Sequence, residues 1–151
     1  MIILTNQPFD PGALLTAFCR GRTETGAVAT FTGLARAEQG STVTLELEAY
    51  PGFTETEIGR IAEDARERFA LDDFAITHRV GRIAPGEAIV FVATAAAHRR
   101  AAFEACDFLM DYLKSRGPFW KKETGPDGQA RWIEPKAQDH ADIARWKDPV
   151  K

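Results

Sequence analysis

Residues 97–122 read AHRRAAFEACDFLMDYLKSRGPFWKK, and the fold is expected to build around this stretch. Its middle predicts a helix, because six apolar side chains fall within an arc of about 120° on a helical wheel. They are Ala102, Phe103, Cys106, Leu109, Met110 and Leu113. This arc should face a core, and His98, Arg99 and Lys114 should lie beside the buried surface.

The start of this helix carries positive charge where a helix tolerates it least. His98, Arg99 and Arg100 occupy its first turn. A helix N-terminus already has about half a unit of positive charge, so each added cation costs about 0.3–1 kcal/mol. A docked anion would reverse that cost, which is one interpretation. In the other, Arg99 extends to solvent along an apolar surface and Lys114 is an ordinary cation near a helix C-terminus.

Composition excludes several classes of protein. The 151 residues are 44% hydrophobic, which suits one domain over residues 1–151. The formal net charge of -3 argues against general nucleic-acid binding. No apolar run approaches the roughly 20 residues that span a bilayer. Residues 1–5 lack the regions of a secretion signal, so we expect a cytoplasmic protein without membrane contact.

Cysteines, histidines and serines indicate neither a metal site nor an internal nucleophile. Cys19 and Cys106 follow apolar residues at helical spacing and are interpreted as buried small hydrophobes. His78, His98 and His140 lack metal-ligand spacing. The two serines have no nucleophile-elbow motif. Sulfur chemistry would therefore need an outside donor.

Two further helices are predicted from signals at their N-termini. Asp10 followed by Pro11 is typical of an N-cap and a first helical residue. Thr54 and Glu57 have the spacing of a capping box and precede apolar residues at helical intervals. These residues are Ile58, Ile61, Ala62, Ala65 and Phe69.

The rest of the chain is expected to form strands, turns and a last helix. Strands are predicted at 27–33, 43–50, 74–80, 87–94 and 131–134, turns at 84–86 and 125–128, and a helix at 138–146. Because strands and helices do not alternate regularly, we expect an α+β fold with a mixed, mainly antiparallel sheet and flanking helices.

Three aromatic side chains are interpreted as packing residues. His78 alternates with apolar residues on one strand face, which favours a hydrogen-bonded structural histidine. Phe119 and Trp120 follow Gly117-Pro118 and are expected to fill a core, although they could also pack against a ligand.

Several motifs then occur in order along the chain. They are Phe31-Thr32-Gly33 with Arg36, Glu48-Ala49-Tyr50-Pro51-Gly52, His78-Arg79-Val80-Gly81, His98-Arg99 and Pro118-Phe119-Trp120-Lys121-Lys122-Glu123. This ordered set resembles the large, catalytic subunit of molybdopterin synthase. The resemblance extends from Gly26 to Lys136, most of the chain.

The resemblance implies an α/β hammerhead fold and a homodimer that forms the core of a heterotetramer. A small ubiquitin-like sulfur carrier with a Gly-Gly tail would bind at each end. The implied activity is a sulfur transfer that converts cyclic pyranopterin monophosphate to molybdopterin. Both dithiolene sulfurs would come from the carrier's C-terminal thiocarboxylate, with no permanently bound cofactor. This sequence ends Asp148-Pro149-Val150-Lys151, without Gly-Gly, so we expect it to accept the carrier.

The resemblance also assigns residues to the site. Lys114 and Lys121 match the two lysines associated with catalysis. An ammonium stabilises negative charge that builds on oxygen or sulfur, and a neutral amine could move protons, so the division of roles stays open. The implied substrate-binding residues are Leu34, Ala35, Arg36, His98, Arg99, Lys114, Lys121, Lys122, Glu123 and Lys136.

Two members of that set depart from the family pattern. Lys136 stands where an arginine is common, which keeps the charge but loses a bidentate fork, and it could act within its own chain or across the dimer. Leu34 stands where some members have a polar residue, so only its backbone is expected to contact substrate.

A noncatalytic module is the alternative to an enzyme. Such a module would bind a phosphorylated ligand or an acidic protein tail at the basic helix start. The pair Lys114 and Lys121 favours the enzyme, because a simple binder does not require it.

Overall fold

The computed structural model describes residues 1–36, 44–134 and 136–147. In chain order its elements are β1 Ile2–Thr5, α1 Pro11–Cys19, β2 Ala27–Leu34, β3 Thr44–Ala49, α2 Phe53–Phe69, β4 Asp73–Arg79, β5 Gly81–Ile83, β6 Ala88–Ala96, α3 Arg99–Arg116, β7 Phe119–Thr124, β8 Ala130–Ile133 and α4 Ala137–Ala144. The α+β prediction is confirmed. Val43 and Asp148–Lys151, which carried sequence predictions, lie outside the described residues.

The first sheet has the order β1-β4-β6-β2 and carries the main core. Only β1 and β4 are parallel; the other neighbours are antiparallel. One face packs against α2 and α3, and the other receives Phe9 and three apolar residues of α1. Residues 90–96 of β6 are therefore all buried, as expected for a central strand that is covered on both faces.

The second sheet has the order β5-β3-β7-β8, and all its pairs are antiparallel. A small separate core forms on it from Ala35, Leu45, Leu47 and Ile83. The two sheets together are thus mixed and mainly antiparallel, as predicted. The short strands β1 and β5 were not predicted, because runs of three or four residues carry almost no alternation.

Helix α3 packs on the first sheet with a face that differs from the predicted arc. Phe103 is 66% exposed, so its predicted burial is wrong. The buried face extends the other way, to Ala105 and Phe108, because α2 and α4 cover that side. Phe69 of α2 and Trp146 after α4 both contact the Phe108 ring.

The N-terminal cap of α1 matches the sequence prediction, and that of α2 does not. Asp10 Oδ1 accepts the N–H groups of Gly12 and Ala13 at 2.8 and 3.3 Å, respectively. Helix α2 begins earlier than predicted, after Gly52, whose N–H donates to Glu55 at 2.7 Å. Gly52 has φ of 80°, a conformation that favours glycine, and this places the helix start before Thr54.

Cys19, the last residue of α1, is exposed, so its predicted burial is also wrong. Only Leu14, Leu15 and Phe18 of α1 pack on the sheet, and Cys19 lies off that face. Cys106 is buried as predicted, and this burial raises the pKa of its thiol to about 11. A thiol with so high a pKa is unreactive near neutral pH.

Truncation of Leu109 should test the packing of α3. This side chain is 0% exposed in the main core, so Leu109→Ala should lower the free energy of unfolding by about 2–5 kcal/mol. The volume-conserving Leu109→Met should cost less than about 1.5 kcal/mol. Urea unfolding measures both, and equal small losses would contradict this packing.

Candidate functional site

The strand-to-helix junction at residues 96–100 has the geometry of an anion site. His98 is the N-cap residue of α3, and within the described chain no side chain caps this helix and no acidic residue lies in its first turn. An open depression of about 520 Å³ lies there, lined by Gly26, Ala97, His98, Arg99 and Arg100. The N–H groups of the first turn therefore remain available to an anion.

Gly26 is part of this junction because its lack of a side chain allows close packing. A Cβ at this position would lie 2.2 Å from the carbonyl oxygen of Ala97. Both His98 and Arg99 are exposed, as in the interpretation in which Arg99 extends to solvent, and the buried Ala102 lies one turn further along the helix.

The second group of predicted residues gathers on one face of the second sheet. Lys121 lies directly across from Leu47, and Glu123 across from Leu45. Directly opposed residues share a face, so Lys121 and Glu123 lie on the face where Ala35 packs. The Lys121 ammonium is 2.9 Å from the Glu123 carboxylate, so its immediate partner is an anion.

Arg36 directly follows Ala35, whose backbone is held by the fold. Ala35 N–H donates to the Glu87 carbonyl at 2.9 Å, and Gly86 N–H donates to the Ala35 carbonyl at 2.6 Å. The Glu87 carboxylate is in turn 3.5 Å from the guanidinium of Arg79, which is 3% exposed. Arg36 follows directly and is exposed. Glu87 was missed by sequence reasoning, because only the fold places it beside Ala35.

Lys122 points away from Lys121. Its cross-strand neighbours are Glu46 and Trp132, and its ammonium lies 5.2 Å from the centroid of the Trp132 ring. This is a cation–π contact on the opposite face of the sheet. The structure therefore does not place Lys122 on the wall that Lys121 and Glu123 form.

The two ends of α3 hold different parts of the predicted site. Lys114 is exposed in the last turn, next to the buried Leu113, and Arg99 is in the first turn. Fifteen residues separate them along α3, or about 22 Å at 1.5 Å per residue. A single chain therefore does not bring Arg99 into contact with Lys114.

Leu34 and Lys136 are the remaining predicted residues. Leu34 ends β2 with an exposed side chain. Lys136 is exposed before α4, and its N–H donates to Asp139 at 2.8 Å.

Residues 117–120, the α3–β7 junction, connect the two candidate lysines. Phe119 stacks on His78 with ring centroids 3.9 Å apart, which confirms packing for both side chains. Trp120 is 42% exposed and meets the Tyr50 ring edge-on at 4.6 Å, so its prediction as a core residue is wrong. It lies on the outer face of the second sheet with Lys122.

Metal and membrane contacts find no support within the described residues. No three His, Cys, Asp or Glu side chains there gather closely enough to hold a metal ion. In the same ranges, no helix combines the length and apolar character needed to cross a membrane.

The fold and site define a class: an α+β protein with an open, basic helix start and a lysine-bearing second sheet. The MoaE protein family matches residues 4–116, so the chain belongs to the MoaE family. A relative from Caulobacter vibrioides, named molybdopterin synthase catalytic subunit, is 71% identical over 97% of this chain and 97% of its own.

Solved structures of similar proteins share this fold. A molybdopterin biosynthesis MoaE protein from Burkholderia ambifaria has a TM-score of 0.83 and 45% identity, covering 97% of both chains. A complex of subunits 1 and 2 of molybdopterin-converting factor from Helicobacter pylori has a TM-score of 0.74 at 19% identity, covering 91% of both chains. The second likeness concerns the fold alone.

Titration of His78 should make stability depend on pH. Burial lowers its pKa to about 4 from the usual 6.5, and its ring N–H donates to the Arg79 carbonyl at 2.8 Å. Between these values the unfolded chain binds a proton that the folded chain does not, so stability falls as pH drops from 6.5 to 4. The loss should be on the order of 3 kcal/mol.

His78→Phe keeps a ring against Phe119 and removes the titrating group. Its free energy of unfolding should therefore vary less between pH 6.5 and 4 than that of the wild type. Urea titrations at several pH values measure the difference. Parallel curves for the two proteins would contradict the assignment to His78.

Proposed function

We propose that this chain is the catalytic subunit of a molybdopterin synthase. With a thiocarboxylated small subunit it converts cyclic pyranopterin monophosphate to molybdopterin by inserting two dithiolene sulfurs. The observation that carries this proposal is the face shared by Lys121, Glu123 and Ala35, beside Arg36, in a chain of the MoaE family. The name of the Caulobacter vibrioides relative supports the same activity.

Lys121 has a chemical role in this reaction. The thiocarboxylate sulfur bonds to a side-chain carbon of the pterin as that carbon loses an oxygen substituent, which links carrier and substrate as a thioester. Water then attacks the carrier's terminal carbonyl carbon, the bond from that carbon to sulfur breaks, and the tail leaves as a carboxylate. Both steps build negative charge on oxygen or sulfur, which a positioned ammonium stabilises. The Glu123 carboxylate, 2.9 Å from Lys121 Nζ, restricts where that ammonium lies.

The phosphate has a separate binding group at the start of α3. His98, Arg99 and the free N–H groups of the first turn offer charge and hydrogen bonds to an anion. Arg99 and Lys114 are about 22 Å apart along one helix, so one small substrate could not contact both ends of α3 in the same copy. We therefore propose that a homodimer brings the helix start of one copy to the lysine face of the other.

The proposed sulfur transfer also implies a donor protein and a reducing environment. The donor is a small ubiquitin-like carrier with a Gly-Gly tail, and the Helicobacter pylori complex of two subunits is a precedent for such a pairing on this fold. No permanently bound cofactor is needed, since the carrier delivers the sulfur. A reducing compartment such as the cytoplasm would preserve that sulfur.

Removal of the Lys121 ammonium should stop turnover without removing the carrier. Lys121→Ala should lower the single-turnover rate by about 100-fold or more, because the developing charge loses its partner. The carrier's dissociation constant, measured by calorimetry, should change little. Lys122→Ala is the matched control on the opposite face and should cost far less. Wild-type kinetics in Lys121→Ala would remove Lys121 from the mechanism.

Lys114→Ala should also cause a large loss of turnover, since the resemblance pairs it with Lys121. Comparing how Lys114→Ala changes the rate of sulfur release from the carrier and the rate of product release would distinguish the roles of Lys114 and Lys121. A rate equal to that of the wild type would leave Lys121 as the single catalytic lysine of the proposal.

Mixing of two variants should test the shared site. Arg99→Ala should weaken substrate binding, and Lys121→Ala should lack turnover. If one copy supplies Arg99 and the other supplies Lys121, half of the dimers in an equilibrated equal mixture contain both variants, and each mixed dimer has one intact site. Activity should then recover to about a quarter of that of the wild type. No recovery despite subunit exchange would place both groups in one chain's site.

The open helix start by itself equally favours a noncatalytic module for a phosphorylated ligand or an acidic tail. Mass spectrometry of the carrier separates the two functions. An enzyme converts the thiocarboxylate tail to a carboxylate only when substrate is present. An unchanged tail with a folded protein and bound substrate would favour the module.

A further inference from the structure

Thr54 is a buried polar residue that the proposed chemistry does not use. It lies in the first turn of α2 and is 0% exposed. Its hydroxyl accepts the N–H of Tyr50 at 3.0 Å and donates to the carbonyl of Pro118 at 3.1 Å. This hydroxyl therefore both accepts and donates to backbone groups, one four residues before Thr54 and the other 64 residues after it.

The two backbone partners lie next to the ends of neighbouring strands of the second sheet. Tyr50 follows β3, Pro118 precedes β7, and the adjacent residues Ala49 and Phe119 form a cross-strand pair. Thr54 itself belongs to α2, which packs with α3 on the first sheet. The hydroxyl therefore joins the second sheet to the layer of helices.

The two candidate lysines stand on the two sides of this joint. Lys114 belongs to α3 in the helical layer, and Lys121 belongs to β7 in the second sheet. The distance and angle between their ammonium groups therefore depend on how the sheet is held against the helices. The other contacts of the α3–β7 junction are a local hydrogen bond from the Phe119 N–H to the Gly117 carbonyl at 2.8 Å and two ring contacts, Phe119 against His78 and Trp120 against Tyr50.

We propose that Thr54 is a positioning residue that sets the geometry between Lys114 and Lys121. The proposal rests on the function proposed above. A hydrogen bond is directional and a ring contact can slide, so the Thr54 hydroxyl sets the register of the joint. Replacement by valine would remove this partner from the part-buried Pro118 carbonyl and Tyr50 N–H, and the second sheet would be free to shift against α2.

Kinetics of Thr54→Val test this role with the thiocarboxylated carrier and cyclic pyranopterin monophosphate. We expect kcat to fall by about 10-fold to 100-fold, since misplacement by about 1 Å costs that much. KM and the carrier's dissociation constant should stay within about twofold, because the residues that bind both partners are untouched. Thr54→Ser, which keeps the hydroxyl, should restore most of kcat.

Two controls on the same helix separate positioning from loss of stability. Thr56→Val makes the same chemical change at an exposed hydroxyl that bonds only to the Gly52 carbonyl within the described chain, and it should leave kcat unchanged. Ile61→Val removes a buried methylene from the core and should lower stability by about 0.5–1.5 kcal/mol without lowering kcat. A loss of kcat in Ile61→Val equal to that in Thr54→Val would overturn the proposal.

Amide hydrogen exchange gives a readout that does not depend on the reaction. Thr54→Val should speed exchange at Tyr50 and Phe119, and exchange in the first turns of α3 should stay unchanged. If Thr54→Val does not fold, Thr54→Cys, a weaker donor of similar size, should show an intermediate kcat with unchanged KM.

The outcomes distinguish the two proposals. A wild-type protein that binds the carrier but never releases its sulfur would refute the proposed function. An active wild type with Thr54→Val of equal kcat, or with Thr54→Ser as slow as Thr54→Val, would refute the positioning role alone.

Discussion

The packing of α3 on the first sheet is the constraint on which the rest of the structure depends. Leu109 is fully buried in this contact, and the buried Thr94 hydroxyl of β6 donates to the Ala102 carbonyl of α3 at 2.7 Å. The helix therefore has one fixed position on the sheet. Because the N-terminus of α3 carries Arg99 and its C-terminus carries Lys114, the same contact fixes the positions of both of these candidate residues.

The second sheet carries polar side chains on the same face as a small apolar core. Leu45 and Leu47 hold this face together, and Lys121 and Glu123 extend from it as an ion pair. An exposed or partly exposed ion pair contributes little to stability, so its value here is to orient an ammonium. The chemistry of the site and the stability of the fold are thus carried by different residues.

The residues that the sequence could identify are those with a local signal. The apolar series of α2 and the Asp10 N-cap were predicted correctly, because they depend on neighbours within four residues. Phe103 and Cys19 were predicted to be buried and are exposed, since helical spacing does not tell which side of a helix another element covers. Lys121 and Lys122 were both assigned to substrate binding, although adjacent strand residues point to opposite faces.

The sequence by itself determined the α+β class, the basic start of α3 and the resemblance that leads to the proposed chemistry. These features depend on residue type and order, which are local properties of the chain. Only the tertiary structure decided that Lys121 and Glu123 share a face with Ala35, and that Thr54 bonds to Pro118 across 64 residues. Contacts between distant segments are set by how whole helices and sheets pack, and no short stretch of sequence contains that information.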